Sequence, residues 1–276
     1  MNTFATPKPI TATMTTAGAR IRVAASERTD TVVRVEPVDP ANKTDVKVAE
    51  QTKVEFTDGA LSIKTTKSGA KTGSVAVTVE LPAGSGLVLN TAWTDVHADG
   101  PLGDCELNLA SGQVRLDRVA GLRANLAAGD VEVGHVAGAA GIEGGAAGLR
   151  IGEIEGVLGY EGSIGRVRIG HARSDVRFGS ASGRFDVERA DGDVVASAGH
   201  CPIRIGRVTG GRVELANAAG GIDVGVGAGV SASVDAESTK GSVRNSLPAT
   251  PGGQVEIHAR TRLDDIVVHP AGDSLR

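Results

Sequence analysis

The chain has 276 residues, 40% of them apolar but only 2% aromatic, with 39 Gly and a formal net charge of -4. That length suits one or two ordinary domains or one repeat array, and the acidic balance argues against a general nucleic-acid binder. Two cysteines are too few for a disulfide scaffold, and no run approaches 18 apolar residues, so no membrane span is expected.

Residues 1–10 contain Pro7, Lys8 and Pro9 and no apolar signal-sequence core, so the expected location is the cytoplasm. Residues 1–19 read as a loose lead-in or an edge strand. Period-2 alternation begins at Arg20-Ile-Arg-Val23 and returns at Thr31-Val-Val-Arg-Val35. It continues at Asp45-Val-Lys-Val48, Lys53-Val-Glu-Phe56, Leu61-Ser-Ile-Lys64 and Ser74-Val-Ala-Val-Thr-Val-Glu80. Turn residues such as Pro37, Asp58-Gly59 and Ser68-Gly69 separate these runs. No amphipathic helix is read here. Seven of the eight lysines lie at or before Lys71, and lysine protects strand edges. Residues 1–90 are therefore expected to form an irregular β cap with the first, longer-stranded rungs.

From Val96 a short phrase recurs. Its first apolar residues are Val96, Val114, Val131, Leu149, Val167, Phe185, Ile203 and Ile222, at spacings of 17 to 19. Such a period predicts a β-solenoid, a β-helix or β-roll of about 18-residue rungs. Each rung has two halves of about nine residues. The first half presents Leu116, Val133, Ile151, Ile169, Val187, Ile205 and Val224 as an inward column. The second half presents Cys105, Leu122, Ala140, Leu158, Val176, Val194 and Val213. Tyr160 and Phe178 fall in adjacent rungs of one column and are expected to stack. Cys105 and Cys201 lie about five rungs apart, or on the order of 25 Å at ~4.8 Å per rung, so two free thiols are expected.

After Val224 the period stretches to about 21, and Pro248 to Gly253 reads as a loop. The runs Gln254-Val-Glu-Ile-His258 and Asp264-Asp-Ile-Val-Val268 are expected to close the array. Residues 91–271 would then be a regular solenoid continuous with the cap, one all-β domain overall, followed by a tail at 272–276.

The pattern resembles the bacterial β-strand-repeat proteins known as putative adhesins, the toastrack domain. The residues that carry the likeness are Asp58-Gly59-Ala-Leu-Ser-Ile63 and Val75-Ala-Val-Thr-Val-Glu-Leu-Pro-Ala-Gly84. After them come Ala110-Ser-Gly-Gln-Val114, Ala128-Gly-Asp-Val131, Ala181-Ser-Gly-Arg-Phe185 and Asp264-Asp-Ile-Val-Val-His-Pro-Ala271. The likeness spans residues 20–271. It implies a β-solenoid or roll without enzymatic activity, in a family with links to membrane and envelope-stress modules.

The outward columns hold the candidate chemistry. Arg150, Arg166, Arg168, Arg184 and Arg204 are expected to share one face, which could bind an anion or an acidic partner. The competing reading is a solvated face, because residues 149–212 carry ten Arg against eight Asp and Glu. His135 and His171 share a column with Glu153 between them, but outward side chains on a flat sheet converge poorly on a metal. Gly220-Gly-Ile-Asp-Val-Gly-Val-Gly227 is a single, misspaced copy of a calcium-binding phrase. The Gly-rich runs lack the strand-to-helix context of a dinucleotide site, and no Gly-x-Ser-x-Gly motif occurs. No catalytic residue, cofactor or metal is expected.

The expected function is a non-catalytic scaffold or interaction module with a protein partner, which may be a second copy joined through end rungs or strand edges. The alternatives are an envelope-associated adhesin or stress sensor, and a polysaccharide-acting β-helix enzyme, for which sugar-stacking rings are scarce.

Overall fold

The computed structural model describes residues 1–65, 73–248 and 252–272. The Ser68-Gly69 turn, the middle of the loop after Pro248 and the end of the tail lie outside them. The chain forms two compact units, Met1–Gly138 and Ala139–Arg276. Each is a β-solenoid in which parallel strands stack in register.

The first unit contains β1 (Asn2–Ala5), β2 (Thr11–Ala17), β3 (Ala19–Ser26), β4 (Asp30–Pro37), α1 (Lys43–Gln51) and β5 (Lys53–Thr57). They are followed by β6 (Ala60–Lys64), β7 (Val75–Pro82), β8 (Gly86–Ala92), β9 (Thr94–Leu109) and β10 (Gly112–Val136). The rungs do not stack in chain order. β2 pairs with β6 on one side and β8 on the other, and β3 likewise lies between β7 and β9. Residues expected as a loose lead-in or edge strand therefore form an interior rung. Alternation explains it: Ala12, Met14, Ile21 and Val23 are all essentially fully buried.

The outer end of this unit departs from the rung pattern. β4 pairs antiparallel with β7, β1 with β4, and β5 with β6. The alternation of Asp45-Val-Lys-Val48 predicts a strand, but these residues lie in α1. The helix is set by its ends, not by its periodicity. Asn42 caps it by accepting the Thr44 N–H at 2.9 Å. Asp45 is buried in the first turn, where its carboxylate accepts the N–H groups of Asp39 at 3.0 Å and Ser74 at 2.8 Å. Val48 packs inward, and α1 lies against β4 and β7.

β10 follows β9 in parallel register, Val114 on Val96 and Leu122 on Cys105. It then turns through a further rung of its own. The Ala137 N–H reaches the Val119 carbonyl at 3.0 Å, and the Gly138 N–H reaches Ala120 at 2.6 Å.

The second unit contains β11 (Ala140–Ile154), β12 (Leu158–Ala172), β13 (Val176–Ala190), β14 (Val194–His200), β15 (Ile203–Val208) and β16 (Gly211–Ala219). They are followed by β17 (Ile222–Val226), β18 (Ala232–Ser238), β19 (Val243–Asn245), β20 (Val255–Thr261) and β21 (Ile266–Pro270). Ile151, Ile169, Val187, Ile205 and Val224 form one unbroken buried column, as the period predicts. Leu158, Val176, Val194 and Val213 form another. Each large aliphatic side chain in such a column contributes roughly 1.5–3 kcal/mol when fully buried.

The corners need glycine where rungs approach closely. Gly183 has φ +128°, and a Cβ there would collide with the Gly165 carbonyl in the rung beneath.

The C-terminal strands do not close this unit. β20 lies between β16 and β18, and β21 lies between β17 and β19. The outermost rung is β18–β19. The buried faces decide this: Val255, Ile257, Ile266 and Val268 are at most 1% exposed, whereas every residue of β19 is exposed.

Both cysteines are free and buried. Burial pushes the Cys105 thiol up to about 12 and the Cys201 thiol up to about 11, which leaves both unreactive near neutrality.

Candidate interaction surface

The parallel register brings the predicted arginines together. Arg150 pairs with Arg168 across β11 and β12, and Arg166 pairs with Arg184 across β12 and β13. Arg166 and Arg168 are two residues apart on one strand, so the four exposed guanidinium groups form a staggered cluster over three rungs, with Gly148 beside Arg166 and Asp186 beside Arg168. Neighbours along the stack stand ~4.8 Å apart at the backbone. Arg204 lies in the Arg150 column but beyond Asp186, which it meets at 3.1 Å, with Asp223 at 3.9 Å. It is neutralised and stands apart from the cluster. Arg168 is tied to Glu188. Screened, exposed pairs of this kind contribute ~0–1 kcal/mol each.

His171 and Glu153 are register neighbours, as the column assignment requires. The His171 Nε2 lies 2.6 Å from Asp191 and its Nδ1 lies 3.7 Å from Glu153. Arg173 also holds Glu153, and Arg189 meets Asp191 at 2.9 Å. The result is a ladder of alternating charges along the rungs. Among the described residues no group of three His, Cys, Asp or Glu is placed to hold a metal. Burial tends to raise the Asp191 carboxyl, but hydrogen bonds from Thr209, His171 and Arg189 outweigh it and hold it at about 2.

Two features escaped the sequence reading. One is the bare edge of β18–β19. Among the described residues β18 pairs with β20 alone and β19 with β21 alone. Val243 on this rung is 40% exposed, and Asp235 is neutralised by Arg260 at 2.6 Å and flanked by His258 at 3.4 Å. The stretched period after Val224 was the available signal for an irregular end. The other is an open cleft of about 370 Å3 nearby, lined by Ser197, Asn217, Glu237, Arg260 and Thr261 among others. Asn217 closes a corner by donating to the carbonyls of Cys201 at 2.8 Å and Gly221 at 3.3 Å. Among the described residues its Oδ1 and the Thr261 hydroxyl are buried without a protein partner.

Stacked parallel rungs, charged outward ladders and an uncovered end rung define a β-solenoid repeat protein whose surface consists of flat sheet faces. The family model described as Toastrack DUF4097 matches residues 11–261, and the chain belongs to that family. No curated protein matches it. Among solved structures it is similar to a putative adhesin from Bacteroides fragilis at 14% identity and a TM-score of 0.36, covering 97% of this chain and 95% of the other. It is also similar to a putative adhesin from Parabacteroides distasonis at 12% identity and a TM-score of 0.30, covering 96% and 95%. Likeness at this level says nothing about what the chain binds. Among the described residues no helix is long and apolar enough to cross a membrane.

Proposed function

We propose that the protein is a non-catalytic scaffold and interaction module whose bare end rung takes up strands from a second copy of the chain. The observation that carries this is the uncovered edge of β18–β19, contrasted with the helix and antiparallel strands that close the outer end of the first unit. An unpaired strand edge is a ready template for another strand. Pairing of the rung with its own copy about a two-fold axis is closed, so it stops at a dimer. The ion pair at Asp235 limits repulsion between the two edges.

Sedimentation velocity over a range of concentrations tests the reading. A monomer–dimer equilibrium is expected, and Val243→Lys should weaken it by placing a charge on the edge. A single monomeric species at all concentrations would sink the proposal. Two free, buried thiols favour a reducing compartment, so the module is assigned to the cytoplasm. Recovery in the envelope fraction would overturn that assignment.

The staggered arginine cluster supports a second reading, in which the second unit docks an acidic protein segment through Arg150, Arg166, Arg168 and Arg184. Retention on heparin at low salt, lost in Arg166→Glu/Arg168→Glu, supports it. Equal elution of the two proteins rejects it.

A further inference from the structure

Trp93 is the chain's single tryptophan, and nothing in the packing accounts for it. Its side chain lies at the corner between β8 and β9 and is 69% exposed, and its backbone φ is +48°. That is the left-handed region, which residues with a Cβ avoid. The registers of β2 on β8 and β3 on β9 place Gly18, φ +69°, at the equivalent corner of the adjoining rung. One rung turns this corner with glycine and the next turns it with an exposed indole.

The surroundings hold the strained backbone in place. The Trp93 N–H donates to the Ser111 hydroxyl at 3.2 Å. The Thr94 hydroxyl donates to the Ala92 carbonyl at 2.9 Å and accepts the Ala19 N–H at 3.4 Å. An unfavourable conformation enforced from both sides, on a residue whose side chain buries little, suggests a role in contact with a ligand.

We propose that Trp93 is a stacking platform for a pyranose ring of a glycan. The equivalent corners on either side carry Gly18 and Ser111, whose side chains are absent or too short to cover the indole. The flanking positions are polar. Before the corner, the Asn108 amide donates to Asn90 at 2.9 Å. After it, Arg20, Asp95 and Gln113 stand side by side in register and exposed. A sugar ring offers a C–H face to an indole and hydroxyls to amides and carboxylates, which is the chemistry grouped here. A protein-docking anchor would instead need apolar neighbours that exclude water. Met1 is the only other large exposed apolar side chain among the described residues of this unit.

Because the chain has one tryptophan, its fluorescence reports on this site alone. The full chain is titrated with cellohexaose, chitohexaose and mannohexaose. At least one should shift the emission to shorter wavelength in a saturable manner. Trp93→Gly, which copies the Gly18 corner, should retain the melting temperature to within a few degrees and bind that sugar roughly tenfold or more weakly by calorimetry. An emission spectrum unmoved by all three sugars overturns the proposal, as does equal binding by Trp93→Gly. If Trp93→Gly alters the sedimentation profile, the indole belongs to a protein interface and the glycan assignment is wrong.

Discussion

Tyr160 and Phe178 occupy the same position on adjacent rungs, and their rings stack with centroids 5.3 Å apart and planes 15° from parallel. Phe185 extends the stack at 4.3 Å. The Tyr160 hydroxyl is buried, and among the described residues it has no protein partner. Burial raises its pKa, and the nearby Cys201 adds to the effect. Tyr160→Phe keeps the stack and removes the stranded oxygen. It should raise stability by about 1 kcal/mol, read as a higher urea midpoint. A lower midpoint would mean that the hydroxyl is satisfied, and that the column tolerates polarity better than its apolar lining implies.

The glycines of the second unit differ in what a Cβ would meet. Gly183→Ala forces a Cβ against the Gly165 carbonyl at a φ that alanine resists, and should cost about 1–3 kcal/mol or more. Gly159 sits in β12 with open space where a Cβ would go. Gly159→Ala should change stability by less than about 1 kcal/mol. Thermal melts of the two variants side by side check this; equal losses would refute close rung approach at residue 183.

Asp191 links stability to pH. Its folded carboxyl, held at about 2, lies below the ordinary aspartate value of 3.8. A depressed carboxyl stabilises the fold above its unfolded pKa, and that contribution is lost as pH falls through the folded one. The window is therefore about pH 4 down to about pH 2. The side chain is 25% exposed, and the full contribution is up to about 2 kcal/mol. Asp191→Asn should melt at a lower temperature than the parent at pH 7, and the gap should close on acidification. A gap that stays constant to pH 2 would show that the ladder around His171 contributes nothing through charge.

The rung was legible in the sequence because a solenoid writes its cross-section into every copy. Val96 and Val114 in the first unit, and Leu149, Val167, Phe185, Ile203 and Ile222 in the second, each mark a buried column, and Arg150 beside Arg168 followed from the same arithmetic. The order of the rungs was not legible. Thr11 pairs with both Ala60 and Gly86, and no eighteen-residue spacing encodes that choice. α1 was missed because Asp45-Val-Lys-Val48 alternates like a strand. What makes it helical is the Asn42 cap and a carboxylate buried against Asp39 and Ser74, the latter supplied from 29 residues away. Trp93 was passed over because a left-handed corner shows only when Gly18 is set beside it.

The interleaved ends matter for how the chain is made. During synthesis β2 and β3 emerge well ahead of their partners and gain both flanking strands only after Asp99 has left the ribosome. At the other extremity β18 and β19 precede the β20–β21 strands that join them to the stack, so they remain unattached until Val268 is available. Vectorial, rung-by-rung winding is therefore impossible at either extremity, and long-range closures of this kind slow folding. Once threaded, β2–β3 and β20–β21 are each gripped on two sides, so an unfoldase pulling on β21 must dislodge interior strands before it frees the β18–β19 rung they hold.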